Sequence, residues 1–263
     1  MGGGAAFGLK SEESTADTVG ISLQPRLGAG GPQLSFAVDW WRIKVDNQVM
    51  QVGADNLLNY CYADPDFRSV SGYCDYVTRD NNDALLVEDL LRNIAQQKAE
   101  GLDFNARLEQ RFGPGRFGAD LRATRFLKQT SQITPDSPVD ELNGTVTKPK
   151  LVADLDLHYA WGKWTAYYGL VYVGRQDSND WLEVDPAVDP FDFRTGAYVM
   201  HNASVRYAGA DDWSVVLGIR NLTDITPRTV SPGDYPNRAG NSPLYSGYDY
   251  FGRRAFVTLS KDF

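Results

Sequence analysis

Residues 99–112 read AEGLDFNARLEQRF. Leu102, Phe104, Ala106, Leu108, Gln110 and Phe112 alternate with Asp103, Asn105, Arg107, Glu109 and Arg111. A strand turns successive side chains to opposite faces, so this stretch predicts one apolar and one charged face. A helix would instead scatter the charges around its circumference. The GPGR segment at 113–116 predicts a tight turn. Beyond it Phe117, Ala119, Leu121 and Ala123 share one face, with Asp120, Arg122 and Thr124 opposite. The local unit is a hairpin of two long amphipathic strands.

The same period continues on both sides. Towards the C-terminus, Leu151, Ala153, Leu155, Leu157 and Tyr159 stand against Asp154, Asp156 and His158. Gly162-Lys163 predicts a very short turn into a strand over about 164–176, with Trp164, Tyr168 and Tyr172 opposite Tyr167. A seventh strand carries Val199, Ala203, Val205 and Tyr207, and an eighth Trp213, Val215, Leu217 and Ile219. A last strand runs to Phe263. Towards the N-terminus, Val19, Ile21 and Leu23 mark the first strand, residues 26–32 a turn, and Leu34, Phe36, Val38 and Trp40 the second. The apolar phase then shifts to Trp41, Ile43 and Val45, which predicts a β-bulge near Trp40-Trp41. Residues 47–97 form a long polar stretch in which 84–95 (ALLVEDLLRNIA) is expected as a short helix.

Nine strands follow, in an all-β antiparallel up-and-down order. Their connections alternate: short at 26–32, 113–116, 162–163 and 208–212, long at 47–97, 130–147, 177–196 and 225–247. Short turns at one end and long loops at the other are the pattern of a transmembrane β-barrel. Soluble sandwiches need cross-over connections. The composition agrees. No run approaches the roughly 18 apolar residues of a membrane helix, and a mean hydropathy of −0.39 is what alternating strands give. Aromatic residues make up 12%, with 14 Tyr and 6 Trp, side chains suited to a membrane interface. A formal charge of −8 argues against a nucleic-acid partner, since phosphate needs a basic face.

Several segments resemble TonB-dependent outer-membrane receptors. Asn221-Leu222-Thr223-Asp224, a loop, and then YDYFGRRAFVTLSKDF resemble the close of that family's barrel. VDWWRIKVDN at 38–47, AEGLDFNARLEQRF at 99–112 and GLKSEESTADTVGISLQP at 8–25 are similar to family segments in the same order. Ser11 stands where the family has Pro, and Lys261 where it often has Tyr. The resemblance implies a barrel of 22 strands around an N-terminal plug. On that basis residues 1–263 are expected to be the C-terminal nine strands, without signal peptide, plug or TonB-contacting segment. The implied partners are outer-membrane lipid, the rest of the barrel and plug, and the TonB system. The implied role is nutrient uptake across the bacterial outer membrane, of an iron chelate, vitamin, carbohydrate or peptide. Phe263 is the implied C-terminal assembly signal. A non-functional truncation of a receptor and a soluble, aromatic-rich carbohydrate-binding domain are the alternatives.

Cys61 and Cys74 fall in the longest outer loop. The chain would pass an oxidising compartment, so a disulfide is expected, with two free thiols as the alternative. Two His and two Cys, scattered along the chain, make no zinc set. No catalytic residues, cofactor or metal are expected. His158 belongs to the polar face with Asp154 and Asp156, and His201 to the face of Val199 and Ala203. Asp39, Asp103, Arg107, Glu109, Asp120, Arg122, Arg206, Arg220 and Arg254 are expected on polar faces, as a hydrated wall with cross-strand charge pairs. Arg253 and Lys261 are expected on the apolar face near strand ends, where long side chains reach the interface. GAGG at 28–31 and GPGRFG at 113–118 are turn glycines, because no helix follows either. Asn143-Gly144-Thr145 matches a glycosylation acceptor by a pattern common by chance.

Overall fold

The computed structural model describes residues 8–25, 27–28, 30–63, 72–135, 137–209, 212–231 and 238–261. Among them nine strands succeed one another in a single antiparallel sheet. They are β1 (Glu13–Leu23), β2 (Gln33–Met50), β3 (Arg92–Phe112), β4 (Gly115–Gln132), β5 (Leu151–Trp161), β6 (Trp164–Val173), β7 (Tyr198–Ala208), β8 (Trp213–Arg220) and β9 (Arg254–Lys261). Each lies beside its neighbour in sequence, so no connection crosses the sheet, and β1 and β9 are its two ends. The two-residue strand Asp140–Glu141 pairs with β4. Phe263 lies outside the described residues.

The chain divides into two compact units. The larger comprises residues 17–42, 99–129 and 141–263 and holds most of the wall. Its register fixes which side chains share a face. Asp120 lies opposite Asp156, Asp156 opposite Gly169, and Gly169 opposite Asn202. One residue along, Leu157 lies opposite Tyr168, Tyr168 opposite Ala203, Ala203 opposite Ile219, and Ile219 opposite Ala255. The expected apolar and polar faces are therefore the real ones from β4 to β9. Among the described residues nothing covers the apolar face: Leu217 is 57% and Val257 71% exposed. Toward the short turns this face carries a continuous aromatic row. Phe112 contacts Tyr159, Tyr159 stacks on Trp161, Trp164 meets Tyr207, and Tyr207 meets Trp213. Rings with an apolar body and a polar tip suit a lipid–water boundary.

The short turns are tight. Two residues join β3 to β4 and two join β5 to β6. Gly113 and Gly162 there have φ values of 57° and 54°, the left-handed region that two-residue hairpin turns require.

Trp40 and Trp41 correct one expectation. The Trp40 Nε1–H donates to Glu100 (3.2 Å), and the Arg42 guanidinium lies 5.9 Å from the Trp40 ring. Trp41 instead packs edge-on to Phe126 and over Gly101, where a Cβ would come within 2.6 Å of the indole. The two tryptophans point to opposite faces and alternation continues through the pair, without a bulge. What changes is the chemistry of the faces: the side of Trp40 turns ionic, with Arg42 held by Asp17 at 2.6 Å.

The smaller unit comprises residues 1–16, 43–98 and 130–140. Residues 47–97 are less loop-like than their polarity suggests, because β2 runs to Met50 and β3 begins at Arg92. At 21 residues, β3 spans roughly 70 Å at about 3.3 Å per residue. A membrane crossing takes only about 10 residues. The helix is not at 84–95 but at Ala54–Ala63 (α1), which buries Leu57 and Cys61 one turn apart. Residues 84–95 cannot start a helix because Asp80 fixes a turn there. Its Oδ1 accepts the N–H groups of Asn82 and Ala84, and Asp83 takes φ 63°. Leu85–Val87 then pairs with Val77–Arg79 as a small hairpin.

Candidate functional site

Two features stand out in the larger unit: the polar face of the wall, and a layer of loops at the ends of the strands opposite the short turns.

The polar face is laced by ion pairs within and between neighbouring strands. Arg122 Nη2 lies 2.9 Å from Asp156, and Arg107 reaches both Glu109 (3.3 Å) and Asp120 (3.7 Å). Thr124 Oγ1 donates to Asp103 at 2.6 Å. His158 Nε2 sits 3.5 Å from Glu109. Its ring lies where a Cβ on Gly118 would be, 2.1 Å from Cε1, so glycine leaves the space for the imidazole. Arg206, Arg220 and Arg254 share this face by register, as expected. The pairs are exposed, the Arg122 and Asp156 side chains at 64% and 58%, and such pairs contribute about 0–1 kcal/mol each. Their arrangement is better read as a hydrated lining than as a stabilising network. A cavity of about 550 Å³ opens on it, lined by Asp120, Asp156, His158, Tyr167, Asn202 and Arg220 among others.

The loop layer has its own apolar cores. Val146, Phe193 and Val230 come from three separate loops and bury one another, with Leu182 and Val184 against them. A second cluster joins Tyr198 of β7 and Val173 of β6 to Tyr248 from the last loop. Buried polar groups tie these cores together. Gln176 Oε1 accepts the Thr147 N–H, and its Nε2 donates to the Tyr248 hydroxyl. Asn179 Oδ1 accepts the Phe193 N–H while Nδ2 donates to Asp192. Burial and the hydrogen bonds to Thr195 and Gln176 act in opposite directions on the Tyr248 phenol, and burial prevails, raising its pKa. The Arg194 guanidinium grips both oxygens of Asp192 at 2.9 Å. With help from Asn179, it holds that carboxyl down to about 2.

The two C-terminal segments singled out in the sequence acquire physical roles. Asn221 is fully buried with φ 53°. Its side chain accepts the Ile225 N–H and donates to the Ile225 carbonyl, both at 2.8 Å. Asp224 accepts the Arg253 N–H, and Asp249 grips Arg254 with both oxygens at 3.0 and 3.1 Å. Asn221-Leu222-Thr223-Asp224 and the Tyr248–Arg254 stretch thus close the last long loop at both ends. The sequence did not reveal Gln176, Asn179, Phe193 or Val230, because isolated apolar and amide residues in polar loops carry no period.

In the smaller unit Cys61 and Cys74 form a disulfide, with their Cα atoms 4.8 Å apart. It pins α1 to the short helical turn Cys74–Tyr76 beneath Leu58 and Tyr73. His201 lies on the face of Val199 and Ala203, as expected, and shares a 2.5 Å hydrogen bond with the Tyr168 hydroxyl. Among the described residues no three His, Cys, Asp or Glu side chains gather into a metal-binding group.

A family model described as TonB dependent receptor-like, beta-barrel matches residues 1–222. No curated protein sequence matches the chain. Similar solved structures include a variant of the ferric enterobactin receptor of Pseudomonas aeruginosa in complex with enterobactin. It is 16% identical with a TM-score of 0.59, over 96% of this chain and 32% of that one. The pyoverdine outer membrane receptor FpvA of P. aeruginosa PAO1, bound to pyoverdine, is 16% identical with a TM-score of 0.54, over 97% and 30%. The siderophore receptor PirA of Acinetobacter baumannii is 15% identical with a TM-score of 0.55, over 97% and 32%. The chain spans about a third of the length of each of these structures.

Proposed function

From the premise that the chain belongs to the TonB-dependent receptor β-barrel family of the bacterial outer membrane, we propose that it supplies the last nine wall strands and the outer mouth of a receptor that takes up an iron chelate. One observation carries the reading. The wall has a bare apolar face, a charged opposite face, and four long connections at the same end. Lipid covers the first face, water and the receptor's plug occupy the second, and the loop layer presents the ligand-facing surface to the exterior. The iron chelate is favoured over a vitamin, sugar or peptide because similar solved structures are siderophore receptors. Energy coupling through TonB and the plug belongs to parts of the receptor beyond these strands. A soluble carbohydrate-binding domain does not fit a wall whose apolar face has no partner among the described residues, since such a surface needs lipid or another protein to cover it.

The test is deletion of the gene in its host under iron limitation. The expected result is loss of energy-dependent uptake of at least one radio-iron chelate, with the protein in the outer-membrane fraction. Unchanged uptake of every chelate the host uses would overturn the ligand class. A water-soluble protein needing no detergent would overturn the receptor reading itself.

A further inference from the structure

One row of the polar face carries arginines and no acid. Arg116 lies opposite Ala160, Ala160 opposite Thr165, Thr165 opposite Arg206, Arg206 opposite Val216, and Val216 opposite Thr258. Arg116 is one residue inside the start of β4 and Arg206 two inside the end of β7, so the row runs along the rim beside the short turns. The two-residue connection between β3 and β4 sets Arg111 beside Arg116. The same register explains why Arg107 reaches Asp120 and Thr124 reaches Asp103. All three rim arginines are exposed, and none takes part in an ion pair among the described residues. Glu109, one row deeper, is already shared by Arg107 and His158. Arg111 and Arg116 are therefore like charges at opposite positions, an arrangement that destabilises a strand pair. An anion laid over them removes that cost.

The rim also has room for an occupant. A hollow of about 640 Å³ opens over it, lined by Arg111, Arg116, Glu109, His158, Ala160 and Thr165 among others. Between Arg116 and Arg206 the row carries only Ala160 and Thr165. Their short side chains leave a trough between the guanidinium groups.

Span decides what fits the trough. Neighbouring strands lie about 4.8 Å apart, so Arg206 is roughly 14 Å from Arg116 and roughly 19 Å from Arg111. Inorganic phosphate or a small carboxylate can bridge Arg111 and Arg116 but leaves Arg206 without a partner. An extended polypeptide advances about 3.3 Å per residue, so about six residues reach from one end to the other. Carboxylates near both ends of such a segment would meet the guanidinium forks two oxygens at a time. The chain spans about a third of the length of similar receptors, and on the receptor reading the remainder includes the plug, in the lumen that this face borders.

On that reading, we infer that Arg111, Arg116 and Arg206 form a basic rim at the periplasmic opening that binds an extended acidic segment of the receptor's N-terminal part, laid across β4 to β7. The test uses the full-length receptor in outer membranes, with photoreactive p-benzoylphenylalanine in place of Thr165 and mass spectrometry of the cross-linked peptides. The expected product joins Thr165's position to an N-terminal peptide with at least two Asp or Glu within six residues. The Arg116→Gln/Arg206→Gln double variant should lower that yield at least tenfold, and Arg116→Lys/Arg206→Lys should keep most of it. A cross-link to a peptide without acids, no cross-link, or an unchanged yield in the glutamine variant would overturn the rim. A cross-link to a separate periplasmic protein would overturn the assignment to the receptor's own chain. If the double variant does not reach the membrane, Arg206→Gln alone, expected to lower the yield several-fold, decides the matter. Unmodified protein outside the outer membrane would instead count against the receptor reading on which the rim rests.

Discussion

Asn221 has no exposed surface and a left-handed backbone, conditions few side chains tolerate together. Its amide makes both hydrogen bonds with the backbone of Ile225, as a short loop-closing side chain can. Replacing it with alanine orphans a buried donor and acceptor and strains the backbone. Asn221→Ala is expected to destabilise the loop layer by about 2–4 kcal/mol, read as a lower midpoint of thermal unfolding in detergent with faster proteolysis after Asn221. Asp192 makes a different prediction. Arg194 and Asn179 hold its carboxyl near 2, below its ordinary value of 3.8. A group whose folded value is depressed stabilises the fold above its unfolded value and loses that contribution as pH falls through the folded one. The Asp192–Arg194 contact should therefore persist from neutral pH to about 4 and weaken between about 4 and 2. A carboxyl titration by NMR with a midpoint near 4 would refute this. At this scale the sequence was only half legible. It displayed Asn221-Leu222-Thr223-Asp224 as a unit, yet its partners lie in the turn that follows and in Arg253, which no local pattern links.

The strands were the most legible elements, because one face of each is apolar and the other charged, and a slip by one residue would invert every side chain. Where both faces changed character, at Trp40-Trp41, the same pattern misled: the apolar phase moved while the backbone kept its alternation. The helix was misplaced for a related reason. ALLVEDLLRNIA has helical composition, but the Asp80 turn commits its first residues to a hairpin. The shorter apolar spacing of Leu57 and Cys61 was buried through a disulfide that composition could suggest but not locate in space. Two element-level outcomes follow. Cys61→Ser/Cys74→Ser should leave the wall intact while loosening α1, by about 3 kcal/mol for a loop of this length. Limited proteolysis should then cut within 51–91 at least tenfold faster. Gly118→Val should be tolerated less well than Gly113→Asn. The first drives a side chain into the His158 ring, whereas the second keeps a residue that accepts a positive φ. Yield of heat-modifiable protein in the outer membrane is the measurement.

Among the described residues the sheet ends in two strands, β1 and β9, with no pairing partner beyond them. Unpaired backbone groups in a bilayer cost several kcal/mol each, so a wall of nine strands needs more strands to close it. A polypeptide of these 263 residues alone, exported behind an added signal, should aggregate or be degraded. Co-expression of the remaining strands of a receptor barrel should rescue it in outer-membrane fractions. A stable monomeric barrel from these residues alone would refute the proposal that they are part of a larger wall. Orientation has its own check. Cysteines placed at 187 or 245 should react with an impermeant label on intact cells, and one at 163 should not.

The core of Val146, Phe193 and Val230 has a consequence for anyone who would re-engineer the mouth. Three loops share it, so none is a self-contained cassette. Transplanting the 174–197 connection from another receptor would strip Phe193 from its neighbours and leave their apolar sides bare. A new specificity would have to be imported as a matched trio, or built by altering side chains on the solvent side of the set while Val146, Phe193 and Val230 stay in place.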